Sequence, residues 1–230
     1  MKRGSHPRTC LYSKHLKRIF DVIFSLGVLI VLSPVFIIIF ILELVFHGSP
    51  AIYVSRRPGL HEKLFSLFKF RSMSNVTDEN GNLLPESERL TKLGYILRRF
   101  SLDELPEFFN ILRGDMSIIG PRPLLAEYLP LYSDRHRQRH SVRPGLACVR
   151  IKNRKQKTWT WEDQFENDIY YIKNLSFLLD MKMFIEVIKT AIRGSKTRSL
   201  DTRVQFTGSN LHETRPRDEV SVVRKKSKPV

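Results

Sequence analysis

Residues 19–46 read IFDVIFSLGVLIVLSPVFIIIFILELVF, a run of 28 positions in which only Asp21, Ser25, Gly27, Ser33, Pro34 and Glu43 are not strongly apolar. A bilayer crossing needs about 20 such residues. Soluble domains seldom keep a helix apolar all round for so long, so the stretch is read as membrane-embedded. It does not fit a cleavable signal, whose apolar core is about 7–15 residues and ends at a small-residue site. Pro34 cannot donate to the carbonyl of Ile30 and its ring crowds that turn, so the helix bends or breaks there. Ser33 can satisfy the freed backbone locally.

The flanks bear on how the segment sits. Lys2, Arg3, Arg8, Lys14, Lys17 and Arg18 precede it without a single acid, and Arg56, Arg57, Lys63, Lys69 and Arg71 follow it. Lys and Arg beside a membrane segment favour the cytoplasmic side. A symmetrical excess therefore favours a helix-break-helix that dips in at Ile19, turns at Ser33–Pro34 and returns. A kinked helix that crosses once is the other arrangement these residues allow.

The whole chain has 230 residues, enough for one domain with appendages. With 42% hydrophobic and 27% charged residues, it is neither wholly disordered nor a polytopic membrane bundle. A net charge of +16 calls for phosphates on nucleic acid, on anionic lipid or on a small substrate. Nucleic acid is the weakest of these, since the basic residues are scattered and no reading module is present. Cys10 and Cys148 lie far apart in no ligand-like spacing, which argues against a disulfide scaffold and for a reducing compartment. The seven histidines show no metal spacing; His136 and His140, four apart in a basic stretch, read as solvated or phosphate-facing. There is no glycine-rich nucleotide loop.

Beyond His47 the pattern is that of a small soluble domain. Leu64 to Phe70 reads as a short aromatic-rich strand or buried segment, and residues 74–89 as a polar loop with a turn at Asn80–Gly81. Leu90, Leu93, Ile96, Leu97 and Phe100 recur at helical spacing beside Arg98 and Arg99. That basic amphipathic helix suits either a membrane surface or the core. Ser101 and Glu104 form an S-x-x-E capping-box pattern for a helix that Gly114 stops. Gly120-Pro-Arg-Pro-Leu124 is a rigid turn, Leu124 to Leu131 reads as helical, and Ile169 to Arg193 as the last helix, with Leu179, Met183, Val187 and Ala191 on one face. The segment after Gly194 has nine basic and four acidic residues and no periodicity; it reads as disordered.

Asp103–Glu104 is the pair that could do chemistry. Its bland reading is strong, because acids in a first helical turn simply complement the helix dipole. Against that stand Arg98 just upstream and Arg122 in the stiff Pro121-Arg-Pro123 turn. Guanidinium groups near a helix N-terminus make a phosphate site, and a carboxylate there serves either a cation or a nucleophilic attack on phosphorus. A divalent metal would screen the charges that otherwise repel nucleophile and substrate. Lys69 and Arg71 have a bland reading as strand-edge charges, and Arg122 one as a structural bridge to Asp115.

Four blocks carry a resemblance: Lys69-Phe-Arg-Ser-Met73, Leu97-Arg-Arg-Phe-Ser-Leu-Asp-Glu-Leu-Pro106, Asn110-Ile-Leu-Arg-Gly-Asp-Met-Ser-Ile-Ile-Gly-Pro-Arg-Pro123 and Val142-Arg-Pro-Gly145. From about Lys14 to Gly194 the chain resembles the bacterial sugar transferases, the monotopic polyprenyl-phosphate phosphoglycosyl transferases. Ser33–Pro34 resembles that family's helix-breaking pair. The resemblance implies an α+β, helix-dominated fold, with a re-entrant membrane segment and a small cytosolic catalytic domain carrying interfacial amphipathic helices. It implies transfer of a sugar-1-phosphate from a UDP-sugar to polyprenyl (undecaprenyl) phosphate, with Mg²⁺ and release of UMP. The location it implies is the cytoplasmic face of the bacterial inner membrane, among membrane lipids, with no nucleic acid. Asp103 would be the nucleophile and a contact for Mg²⁺, and Glu104 its partner. Lys69, Arg71, Arg98 and Arg122 would bind substrate. After Gly145 the family usually reads I-T-G-x-x-Q-V-x-G-R, whereas this chain reads Leu146-Ala-Cys-Val-Arg-Ile-Lys-Asn-Arg-Lys155; the family arginine, which would bind substrate, falls on Arg154 when one residue is deleted and near Lys155 when none is. This departure motivates a second reading, a non-catalytic membrane-anchored scaffold of the same fold. The expected parts are a basic segment (1–18), the re-entrant helix (19–46), the catalytic domain (47–194) and a basic tail (195–230).

Overall fold

The computed structural model describes residues 12–148, 159–193 and 205–213. It is α+β and rich in helix. The apolar run forms two helices, α1 (Lys17–Val31) and α2 (Ser33–His47), bent by 65° across Leu32. The break has the expected local chemistry: Pro34 stands in the first turn of α2, and Ser33 Oγ donates to the stranded carbonyl of Ile30 at 2.8 Å. No single helix among the described residues is long and apolar enough to cross a membrane; only this bent pair qualifies by length and composition. Large apolar side chains such as Ile23, Ile30, Val31, Val45 and Phe46 are left exposed along it, a continuous apolar surface of the kind that marks a membrane or partner contact.

A hairpin follows, β1 (Ile52–Pro58) antiparallel to β2 (Leu64–Phe70), with Tyr53 opposite Lys69 and Arg57 opposite Phe65. The polar loop after it has the expected turn, Gly81 at φ +80°, and holds one short helix, α3 (Glu86–Arg89). Next come α4 (Lys92–Phe100), capped by Thr91, and α5 (Glu107–Arg113), closed by Gly114 in the left-handed region. The amphipathic α4 packs Leu97 into the core and leaves Ile96 and Phe100 exposed. Strands β3 (Ser117–Ile119) and β4 (Gly145–Ala147) pair in parallel. A short helix α6 (Asp134–Arg137) lies between them, and α7 (Trp161–Lys173) and α8 (Phe177–Arg193) close the domain.

The main core gathers Phe65, Leu67, Phe70, Leu97, Ile111 and Met116 with residues of α7 and α8. Polar groups lock the bent pair onto it. Asp21, buried, accepts from the amide of Ile118 at 3.0 Å, and Lys17 reaches Asp180 on α8 at 2.6 Å. Arg18 donates to the carbonyls of Ile111 and Leu112, placing a cation where α5 ends and its orphan carbonyls carry negative charge. Asn110, fully buried, substitutes for a neighbouring strand: its Oδ1 accepts from the amide of Phe68 and its Nδ2 donates to the carbonyl of Ser66.

Several expectations need correction. Ser101 starts no capping box; it sits at φ +61° and ends α4, and Leu102–Glu104 form one separate 3-10 turn before Pro106 opens α5. Proline suits that entry because its missing N–H would be unbonded there anyway. The capping box that does form is Thr160 with Asp163, opening α7. The last helix is two helices, since Asn174 ends α7 and Ser176 bonds the amide of Leu179 at the start of α8; Leu179, Met183 and Val187 do face the core, while the side chain of Ala191 lies outside the described residues. Residues 126–131 are helical as expected, in the 3-10 form with Pro130 inside. Part of the supposedly disordered tail is packed: Phe206 is buried among Leu124, Tyr128, Tyr132, Trp161 and Phe165. One aromatic residue in a polar stretch leaves no periodicity to read, yet suffices as an anchor.

Gly94 allows α4 its closest approach to the chain after β2. A Cβ there would lie 1.9 Å from the carbonyl oxygen of Ser72. Gly94→Ala is expected to cost about 1–3 kcal/mol by overpacking, read as a drop of several degrees in the melting temperature of the detergent-purified protein.

Candidate active site

Three chain segments converge on the acidic pair. The 3-10 turn carries Asp103 and Glu104, β2 carries Lys69, and the Pro121–Pro123 turn carries Arg122. Glu104 Oε1 accepts from Lys69 Nζ at 3.1 Å and from Arg122 Nη2 at 3.0 Å. Lys69 also reaches Glu107 Oε1 at 3.1 Å. Asp103 is buried, as are Glu104 and Glu107, and adds to the electrostatic field on Arg122. The geometry removes the bland alternative for Arg122: its partner is Glu104, while Asp115 pairs with Arg113.

The field follows from the arrangement. Arg122 is held more firmly protonated than usual, first by the charge of Glu104 and then by Glu107 and Asp103. Glu107 is almost wholly buried and lies beside another carboxylate; burial first, then repulsion from Glu104, pushes it up to about 7. Arg57, on the same hairpin face as Lys69, has its guanidinium lowered by burial, with Tyr53, Arg122 and Glu107 among its electrostatic neighbours.

The remaining expected residues take other partners. Arg71 donates to the carbonyl of His47 at 3.0 Å, and Arg98 Nε donates to Ser72 Oγ at 2.9 Å. Both buttress the connection between α2, β2 and α4. Arg154 lies outside the described residues. Ser33 and Pro34 are at the helix break, as expected from their chemistry. His136 and His140 are not solvated: both are buried, His136 stacks on Phe165, and burial followed by the charge of Arg139 lowers His140 to about 4.

Sequence reading passed over Glu107 and Arg57. Glu107 stands three residues after Glu104, the spacing that puts side chains on one helical face, and that signal was available. Arg57 announces itself only in the fold, since Arg122 and Glu107, its electrostatic neighbours, lie far from it in the chain.

Among the described residues no group of three His, Cys, Asp or Glu side chains is placed to hold a metal ion. Asp103 and Glu104 nonetheless supply hard oxygen donors on one turn. That set suits an ion which keeps several waters and shares the phosphates of a ligand, as magnesium does.

Over residues 12–194 the chain matches the family described as bacterial sugar transferase. The chain belongs to that family. It is a sugar transferase, and hence an enzyme. It is 41% identical over 197 residues to the uncharacterized sugar transferase EpsL of Bacillus subtilis, covering 84% of this chain and 96% of that one. It is 33% identical over 199 residues to an undecaprenyl-phosphate galactose phosphotransferase of Salmonella typhimurium, and 35% identical over 190 residues to a UDP-glucose:undecaprenyl-phosphate glucose-1-phosphate transferase of Klebsiella pneumoniae. Those two matches cover 79% and 78% of this chain but 41% of each relative.

The raised carboxyl of Glu107 makes a pH prediction. Between its ordinary 4.5 and about 7, the folded chain holds a proton that the unfolded chain has released. Stability from this group is therefore fully present below about 4.5 and is lost as pH rises through about 7. Denaturant titrations at constant ionic strength should show the sugar transferase losing stability across that window, and Glu107→Gln should flatten the loss.

Proposed function

We propose that this sugar transferase moves a sugar-1-phosphate from a UDP-sugar to undecaprenyl phosphate, releasing UMP, as the first step in building a lipid-linked glycan. The observation that carries the reading is the Glu104 carboxylate bridged by Lys69 and Arg122 beside Asp103. It is an acidic pair whose charge is compensated, so that a phosphate can approach. Relatives named for transfer to undecaprenyl phosphate supply the substrate classes.

In this scheme an Asp103 carboxylate oxygen attacks the phosphorus that bears the sugar. The new bond is O–P to Asp103; the bond that breaks is the P–O bond to UMP, which leaves with the bridging oxygen and its electron pair. An oxygen of the lipid phosphate then attacks the same phosphorus and displaces Asp103, regenerating the carboxylate. One hard displacement becomes two, with the chain itself holding the cargo between a soluble donor and an apolar acceptor. Arg122 and Lys69 stabilise the charge on the transferring phosphoryl group, and Glu104 orients them. Asp103 would hold a magnesium ion, whose charge would screen the repulsion between carboxylate and phosphate.

The same proposal places the bent pair as a re-entrant hairpin in the cytoplasmic leaflet. Each 15-residue helix is about 22 Å long, short of the roughly 30 Å hydrocarbon core. Basic residues flank both ends, and the exposed apolar residues of α4 and α8 lie on elements packed against the same core.

Purified protein given a panel of UDP-sugars is expected to release UMP before any lipid is added and to retain the sugar phosphate. Asp103→Asn should lower turnover by about 10³-fold or more. Wild-type turnover in that variant, or an adduct mapped to another residue, would overturn the nucleophile. Cysteines placed at Lys14 and Lys63 should both react from the cytoplasmic side of the membrane; labelling from opposite sides would overturn the hairpin.

A further inference from the structure

Arg122 is flanked by Pro121 and Pro123, whose rings fix φ and supply no N–H. The Arg122 backbone thus has the turn's only amide between Gly120 and Leu124, and it is held from below. Its carbonyl accepts from Arg139 Nη2 at 2.7 Å, and its amide faces the Cys148 thiol. Arg139 is in turn paired with Asp168 on α7, Nη2 to Oδ2 at 2.8 Å, with side chains 2% and 0% exposed. The guanidinium lies near the Tyr132 and Phe165 rings, 5.8 and 5.6 Å from their centroids. Gln164 Nε2 donates to Asp168 Oδ1 at 2.8 Å, and the Cys148 thiol lies 3.7 Å from the same oxygen.

An ion pair this deeply buried is poor evidence of stabilisation, because desolvating both charges offsets their attraction and apolar side chains of equal volume often serve as well. What a guanidinium adds is a planar fork that can serve a carboxylate and a carbonyl together. Here Nη2 faces both the Asp168 carboxylate and the Arg122 carbonyl while Nη1 donates to Tyr132 Oη at 3.3 Å, so the fork joins α7 to the backbone of the residue whose side chain holds Glu104.

We propose that Arg139 and Asp168 are positioning residues: their buried pair fixes the Arg122 backbone so that its guanidinium meets Glu104 and the transferring phosphate. They touch no substrate and act through Arg122. The kinetic part of this inference rests on the phosphosugar-transfer reading; the structural part does not.

The test uses Arg139→Lys, which keeps the charge but not the fork, together with Asp168→Asn and Arg122→Ala. Arg139→Lys should reduce kcat for UMP release about tenfold or more while the KM for the UDP-sugar changes less. In the Arg122→Ala background the same change should cost nothing further, since its route of action is gone. Hydrogen exchange at the amides of Gly120, Arg122 and Leu124 should quicken about tenfold in Arg139→Lys and Asp168→Asn, with the amides of α4 and α5 unchanged. Losses that add fully to Arg122→Ala, unaltered turnover in Arg139→Lys, or unaltered exchange in the turn would each overturn the proposal. Absence of UMP release from the wild type with every donor would instead defeat the transfer reading, leaving the exchange measurement to decide the clamp.

Discussion

A single carboxylate oxygen, Oε1 of Glu104, accepts from a lysine on a strand and an arginine on a proline-bound turn. Those donors come from segments about 50 residues apart in the chain, and the acceptor from a third. Glu104 is buried, so its charge must be compensated, because a buried carboxylate left alone would be costly. The requirement runs outward. Asn110 must hold β2 against α5 for Lys69 to reach the pair, and the Gly120–Gly145 approach must be close for Arg122 to do so.

The bent helix pair is bound to the same framework rather than hung beside it. Asp21 pins α1 to β3, Arg18 closes the end of α5, and Lys17 meets Asp180, which also accepts from Tyr12 and Tyr171. Tyr171 passes that contact on to the carbonyl of Ile119, one residue before the Gly120 turn. At its other end, His47 bonds Glu43 and the cap of α4 while its carbonyl takes Arg71. Placement of the bent pair and placement of the acidic pair are thus mechanically one problem, and Asp21, Ser25 and Glu43, which interrupt the apolar run, are buried against the domain.

Legibility in the sequence followed the range of the interaction involved. The helix break at Ser33–Pro34, the stop at Gly114 and the hairpin strand β2 depend on neighbours a few residues away, and each was readable. The Ser101–Glu104 capping box failed because a pattern of residue types cannot reveal a left-handed Ser101. His136 and His140 failed because a basic local composition says nothing about the aromatic residues packed against them, Phe165 on His136 and Tyr132 on His140. Phe206 gave no signal at all, since its partners lie 40 to 80 residues earlier.

By itself, the sequence determined that an apolar segment with a built-in break precedes a small basic domain, and that Asp103, Glu104 and Arg122 were the groups to watch. Those conclusions rest on backbone chemistry and composition, which act locally. Only the tertiary structure decided which cation meets which carboxylate: Lys69 and Arg122 with Glu104, Arg98 and Arg71 with groups that brace the scaffold, Arg139 beneath the Arg122 backbone. The reason is that charges attract without regard to sequence spacing. Their pairing is settled by which of them strand register and helix packing bring within about 3 Å of one another.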